Sequence, residues 1–112
     1  MAALDGLRIL DMTQYEAGPS CTQALAWLGA DVVKIEPPGA GDPGRGAGRG
    51  GGSDAEYFVV WNSNKRSVVL DLAKPEGRQL LLDMVPKYDV FIENYGPGVV
   101  ERLNIDYEVM KA

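Results

Sequence analysis

Residues 7 to 36 decide the fold, since they contain the apolar run Leu7-Arg8-Ile9-Leu10-Asp11-Met12 and, after a gap, the run Asp31-Val32-Val33-Lys34-Ile35-Glu36. Short runs rich in Val, Ile and Leu are typical of buried strands in a parallel sheet. Between them, Pro19 is followed by apolar residues at helical spacing, and Gly29 stands where the end of a helix favours a left-handed residue. This stretch therefore predicts a strand–helix–strand unit.

The rest of the chain repeats the alternation. Two more apolar runs, Ser67–Leu72 and Asp89–Glu93, predict strands. A helix is expected from Pro75 to Pro86, with a buried stripe formed by Leu80, Leu81, Met84 and Val85. Shorter helices are expected after Pro97, through Val99, Val100 and Leu103, and after Asp106, a good N-cap residue, from Tyr107 onward.

These elements predict an α/β, Rossmann-like fold in which flanking helices cover a mostly parallel sheet of about four strands. A capped helix that stops after so few residues, together with an open sheet edge, leads us to expect that residues 1–112 are the incomplete N-terminal part of a larger domain.

Residues 37–53 differ from the rest because they contain eight glycines. Such a segment has little to pack and much backbone freedom to lose, so we expect a long, mobile, Gly-rich loop. It is either a lid over a ligand or a surface excursion. A phosphate-binding P-loop is excluded, because no Gly-Lys-Ser/Thr ending is present.

Composition excludes several function classes. The 112 residues carry a net charge of −5 and include no histidine, which argues against a nucleic-acid-binding surface and removes Ser-His and Cys-His nucleophile pairs. Cys21 is the single cysteine, so no intramolecular disulfide and no Cys/His metal site is expected. No apolar run is long enough to span a membrane and residues 1–5 do not resemble a signal peptide, so we expect a cytoplasmic protein.

Two turns that follow strands are candidates for ligand binding. Residues 11–19 end a strand and open a helix, a place where free N–H groups favour anions. In the second turn, Asn94 offers polar contacts, Tyr95 an aromatic face and Gly96 a close backbone approach, while Arg102 lies further along the following helix and suits a phosphate. Both turns also fit a purely structural role. Lys65 and Arg66 are interpreted as exposed residues of a solvated turn.

The order and spacing of these segments resemble the opening of the family III CoA-transferases, the formyl-CoA transferase and CaiB/BaiF group. The resemblance covers essentially the whole chain, and its segments are Leu4–Asp11, Ala17–Pro19, Leu28–Glu36, Asn64–Ser67, Leu70–Leu72, Pro75–Gly77 and Asp89–Gly98.

The resemblance implies an activity. Members of this family move CoA between carboxylic acids through an aspartyl mixed anhydride and form interlocked homodimers. It implies acyl-CoA and a carboxylic acid as substrates, no permanently bound cofactor, no metal, and CoA contacts from Tyr15, Leu70, Asn94, Tyr95 and Arg102, with Glu16 facing the active site. The nucleophilic aspartate falls beyond Ala112 in the family pattern, so we expect this chain alone to be inactive.

Two departures favour a general CaiB/BaiF member over a formyl-CoA transferase proper. Formyl-CoA transferases look to have Gln at the position of Glu16. They also look to have basic residues at the positions of Pro37 and Pro38. Three alternatives stay open: a relative of the α-methylacyl-CoA racemases, a non-catalytic nucleotide- or CoA-binding module, and an interaction piece that pairs with another chain.

Overall fold

The computed structural model describes residues 1–48 and 55–112, and these contain a parallel sheet of four strands. The strands are β1 (Arg8–Met12), β2 (Asp31–Glu36), β3 (Arg66–Val69) and β4 (Val90–Glu93). Their order across the sheet is β3-β2-β1-β4, and every neighbouring pair is parallel. The predicted Rossmann-like α/β fold is confirmed, and β3 ends three residues earlier than expected.

Helices connect the strands. They are α1 (Ala17–Trp27), α2 (Glu56–Asn62), α3 (Pro75–Met84), α4 (Val99–Arg102) and α5 (Tyr107–Met110), with short 3-10 helices at Pro43–Gly46 and Val85–Lys87. The sequence pattern did not predict α2, and a 3-10 turn carries the chain through Pro86, beyond the end of α3. None of the helices in the described ranges is long and apolar enough to cross a bilayer.

Alternate residues of β1 face opposite sides of the sheet, and each side has its own core. Ile9 packs towards α1 with Ala26, Ala30 and Val32. On the other side, Leu10 belongs to the larger cluster, whose buried members are Leu10, Met12, Val33, Ile35, Leu70, Leu81 and Ile105.

The predicted buried stripe of α3 is wrong at one position. Leu81 is fully buried, whereas Leu80 is 55% exposed. The side of α3 that faces the sheet carries residues separated by four, three and one positions, which share one face of a helix. They are Gly77, Leu81, Met84 and, just after the helix, Val85. Leu80 lies one residue outside that stripe, about 100° around the helix.

The Gly-rich stretch is partly packed. Asp42 is only 1% exposed and accepts a hydrogen bond from the Gly44 N–H, which begins the 3-10 helix. Arg45 donates to both carboxylate oxygens of Glu36. The expectation that this stretch has little to pack is therefore wrong for Asp42, Gly44 and Arg45, whereas residues 37–40 are exposed. Residues 49–53 lie outside the described residues, and the mobility of the segment stays a prediction.

Candidate functional site

The parallel strands end at one edge of the sheet, and the turns that follow them begin at Thr13, Pro37, Leu70 and Asn94. In open α/β sheets ligands bind outside the carboxyl ends of the strands, where neighbouring connections diverge. The order β3-β2-β1-β4 puts that point of divergence between β1 and β4. The two turns singled out in the sequence are therefore adjacent.

The turns after β1 and β4 are joined by hydrogen bonds. The N–H of Gln14 donates to Asn94 Oδ1 at 2.8 Å, and Asn94 Nδ2 donates back to the Gln14 carbonyl at 2.9 Å. The side chain of Gln14 donates to the Tyr95 hydroxyl at 3.1 Å. Next to Gln14, Tyr15 has a positive φ of 65° and a side chain that is 56% exposed.

A cleft of about 180 Å³ opens beside these turns. It brings together Leu70 and Tyr95, two of the predicted CoA contacts, and its other lining residues are Met12, Ile35, Glu36, Pro37, Asp71, Leu72, Ala73 and Leu103. Burial raises the pKa of Tyr95, and the carboxylates of Asp42 and Glu93 add to the effect, so the phenol remains a hydrogen-bond donor at neutral pH.

The remaining predicted site residues do not line this cleft; they are Tyr15, Glu16, Asn94, Gly96 and Arg102. Glu16 is exposed at the start of α1 and accepts a hydrogen bond from the Tyr57 hydroxyl at 3.4 Å. Gly96 is exposed, and a Cβ added to it would have no described heavy atom within 4 Å, so packing does not demand glycine there. Arg102 is exposed on α4, outside the cleft lining.

Sequence reasoning missed Tyr57, which lies on the unpredicted helix α2. Desolvation raises the pKa of Tyr57, and the nearby carboxylates of Glu16 and Asp42 raise it further. Its hydroxyl therefore stays protonated at neutral pH beside Glu16.

Behind the turns, on the α1 and α2 side of the sheet, lies a buried group of charges. Lys65 Nζ is 2.9 Å from Asp11 Oδ2, and their side chains are 2% and 0% exposed. Lys34 Nζ is 2.7 Å from Asp42 Oδ2, with both side chains 1% exposed. Thr22 donates to Asp11 at 2.6 Å. Each acid thus has a cation beside it, as buried charges require.

The interpretation of residues 65 and 66 as a solvated turn is wrong for the first of them. Lys65 is buried and also donates to the Pro19 carbonyl and the Asn62 side chain. Arg66 is exposed, and it pairs with Asp31 at the amino ends of the strands. Burial lowers the pKa of Lys65, and the charge of Asp11 opposes that change.

The sequence did contain a pattern that predicts the buried charges. Asp11 is two residues from Ile9, and Lys34 and Glu36 are two and four residues from Val32, so the strand period of two puts all three on the α1 side of neighbouring buried strands. Charged residues on a buried face must find partners, so the pattern implied an ion-pair network.

Glu36 gives the network a measurable pH dependence. Burial raises its pKa, but hydrogen bonds from Arg45, the Asp42 N–H and Ser67 outweigh this and lower it to about 2. Because the folded pKa lies below the unfolded value, the stabilisation is complete above pH 4.5 and is lost as the pH falls towards 2. At about 1.4 kcal/mol per pKa unit, and allowing for screening by solvent, the contribution at pH 7 is on the order of 1 to 3 kcal/mol.

We therefore expect Glu36→Gln to lower the free energy of unfolding at pH 7 and to weaken its decline between pH 5 and pH 3. Urea unfolding followed by circular dichroism at several pH values measures both. Glu76→Gln, which neutralises an exposed carboxylate in the first turn of α3, is the matched control and should change stability much less than Glu36→Gln does. A profile for Glu36→Gln that parallels the unsubstituted chain would contradict the assignment.

Comparison with known proteins identifies the family. The model for CoA-transferase family III matches residues 4–112. This chain belongs to the family III CoA-transferases. It is 48% identical over 111 residues to the formyl-CoA:oxalate CoA-transferase of Bradyrhizobium sp. (strain ORS 278), and the alignment covers 98% of this chain and 26% of that protein.

Solved structures of similar proteins have the same fold. A CaiB/BaiF family protein from Brucella suis is 40% identical, with a TM-score of 0.89, and the match covers 98% of this chain and 30% of that one. A hypothetical protein from Mycobacterium tuberculosis matches with a TM-score of 0.89 at 35% identity, over 99% of this chain and 30% of that one. This family III chain thus spans about a quarter to a third of the length of the relatives it matches.

Proposed function

We propose that this chain is the N-terminal CoA-binding portion of an acyl-CoA:carboxylate CoA-transferase. The observation that carries the proposal is the family match over residues 4–112, which includes every turn at the carboxyl edge of the sheet. The substrates are then an acyl-CoA and a carboxylic acid, and no resident cofactor is needed.

The cleft has suitable chemistry for CoA. Its walls are mainly apolar, with Leu70 and Leu103 beside the Tyr95 ring, which suits the pantetheine arm or the adenine of CoA. Arg102, one residue before Leu103, is exposed and suits a phosphate. On the other side, α1 begins next to Glu16 without a side-chain cap, so its first N–H groups favour a carbonyl or phosphate oxygen.

The proposed reaction needs groups from outside this chain. A carboxylate must attack the thioester carbonyl, be held near it, and have donors for the developing oxyanion. We assign the attacking aspartate to the family segment beyond Ala112, so that none of the aspartates here is the nucleophile and the chain alone is inactive. The complete enzyme is then an interlocked homodimer in the cytoplasm.

The negative charge of Glu16 affects which carboxylic acid the enzyme can accept. The relatives named above include a formyl-CoA:oxalate CoA-transferase. If Glu16 faces the acyl group, as its family position implies, its carboxylate disfavours a substrate with a second carboxylate, such as oxalate, because like charges repel at short range. We therefore infer a different carboxylic acid as the CoA acceptor of the enzyme to which this chain corresponds.

Titration of CoA into the chain, followed by backbone amide shifts in NMR and by calorimetry, tests the proposal. We expect shifts at residues 14–18 and 94–102, and a dissociation constant that rises about tenfold, or about 1.4 kcal/mol, in Arg102→Ala because one phosphate contact is lost. Lys87→Ala, which removes an exposed cation at the amino end of β4, is the matched control.

Three results would count against this assignment. An unchanged spectrum on adding CoA would overturn CoA binding by this chain. Tighter binding of NAD than of CoA would favour a dinucleotide module. Equal CoA affinity in Arg102→Ala and Lys87→Ala would remove Arg102 from the site.

A further inference from the structure

The turn after β1 is held by side chains from three other parts of the chain. Lys34 Nζ donates to the Thr13 carbonyl at 2.8 Å. Asn94 binds both main-chain groups of Gln14, at 2.8 and 2.9 Å. Asp42 Oδ1 accepts from the Tyr15 N–H at 3.2 Å. Four main-chain groups of residues 13–15 thus form hydrogen bonds to side chains instead of to the main chain of a helix or strand.

One side of this turn is fixed by buried groups. Asp42 and Lys34 form an ion pair at 2.7 Å, and Asp42 also accepts from Gly44 and donates its own N–H to Glu36. Neither charged side chain can shift without leaving the other unpaired away from water, which is costly. Asn94, by contrast, is exposed and comes from the turn after β4, so it is the part of the arrangement that can be removed without opening the core.

The held conformation is one that the sequence at the turn disfavours. Tyr15 has a φ of 65°, in the left-handed region, which costs a non-glycine residue on the order of 1 to 2 kcal/mol. The Tyr15 side chain is 56% exposed, so the conformation does not serve to bury its ring. Strained residues that the surroundings force into place are concentrated at ligand sites, where the strain provides preorganisation.

We propose that Asn94 is a positioning residue that holds the Gln14–Tyr15 turn in its ligand-ready shape. This deepens, and rests on, the proposed binding of CoA at the same edge of the sheet. The side-chain oxygen of Asn94 and one of its side-chain N–H groups are already hydrogen-bonded to the Gln14 main chain. Asn94 therefore acts chiefly through the turn. A preorganised turn lowers the entropic cost of ordering the turn when CoA binds. Loss of the Asn94–Gln14 hydrogen bonds raises that cost.

The test compares Asn94→Ala with Asn64→Ala. Asn64 also has a positive φ, of 67°, and its Nδ2 donates to a main-chain carbonyl, that of Ala26, at 2.9 Å. It lies just before β3, at the opposite edge of the sheet from the candidate site. Asn94→Ala loses two hydrogen bonds to the backbone and Asn64→Ala loses one, but Asn64→Ala also places alanine in a left-handed conformation, so the two variants should be destabilised by similar amounts.

Three quantities are measured: amide hydrogen exchange at Gln14 and Tyr15, the Tyr15 Cα and Cβ chemical shifts, and the CoA dissociation constant. In Asn94→Ala we expect exchange at both amides to accelerate about tenfold, the Tyr15 shifts to move away from left-handed values, and CoA to bind about tenfold more weakly. In Asn64→Ala all three should stay as in the unsubstituted chain, although its melting temperature falls.

Each other outcome would overturn the proposal. Unchanged exchange and shifts at Gln14 and Tyr15 in Asn94→Ala would show that the turn holds itself. Weaker CoA binding without those changes would make Asn94 a direct contact, and a loosened turn with unaltered affinity would make it purely structural. If the unsubstituted chain binds no CoA, the proposed function itself fails, a result that is recognised before either variant is compared.

Discussion

Lys65→Met is expected to lower the free energy of unfolding by about 3 to 5 kcal/mol, because it leaves the fully buried Asp11 carboxylate without its cation. Methionine has a similar length, so the loss reflects the missing charge and hydrogen bonds more than a cavity. Asp11 would retain its hydrogen bonds from Thr13 and Thr22, but these bonds do not replace the lost positive charge. Urea unfolding followed by tryptophan fluorescence measures the difference.

The neighbouring residue supplies the control. Arg66→Met also removes one cation, but Arg66 and Asp31 are 68% and 43% exposed, and exposed pairs contribute only about 0 to 1 kcal/mol. Adding Asp11→Asn to Lys65→Met should recover part of the loss, since a neutral amide can still bond to Thr13 and Thr22. Similar losses in Lys65→Met and Arg66→Met would contradict the buried pair.

The comparison of these two residues shows why the candidate site was harder to predict than the fold. In the sequence Lys65 and Arg66 are adjacent cations before a strand, and nothing local distinguishes them. The distinction comes from α2, whose Asn62 accepts from Lys65, and α2 was not predicted. Its residues Tyr57, Phe58, Val59, Val60 and Trp61 form a continuous apolar run without helical periodicity, which periodicity alone cannot assign to a helix.

The strands and their parallel direction, in contrast, follow from local patterns. Each strand is a short run of apolar residues, and two of the connecting helices have a Gly or Pro at one end: Gly29, with its φ of 109°, follows α1, and Pro75 begins α3. Because helices separate successive strands, the strands must be parallel, and their carboxyl ends must meet at one edge. That places the turns of Tyr15 and Asn94 at the same edge of the sheet, and the pairing of β4 with β1, which no local pattern predicts, makes them neighbours.

Contacts within the site depend on details that no local pattern contains. The two hydrogen bonds between Asn94 and Gln14 need the register of β1 against β4, in which Met12 is paired with Glu93. The anchoring of Asp42 needs a side chain from a Gly-rich stretch to reach Lys34. The glycines of this stretch predicted a flexible backbone, whereas the buried ion pair between Asp42 and Lys34 holds part of it in place.

Leu81→Ala is the second substitution with a large expected effect, and it tests the corrected face of α3. Leu81 is fully buried in the core cluster beside Leu10, Val33 and Ile105. Deleting a buried leucine side chain costs roughly 3 to 5 kcal/mol, from the lost burial and the cavity that remains. A chain of this size has only a modest total stability, so the variant should be largely unfolded at 37 °C.

Leu80→Ala is the matched control, one residue earlier on the same helix. Leu80 is 55% exposed, and alanine has the higher helix propensity, so we expect a change within about 0.5 kcal/mol. Thermal unfolding of both variants by circular dichroism gives the comparison. Equal losses would restore the stripe that the sequence predicted, with Leu80 facing the core. A large loss for Leu81 alone would fix the rotation of α3 about its axis and show that this face packs on the core that also contains Leu70, a residue of the cleft lining.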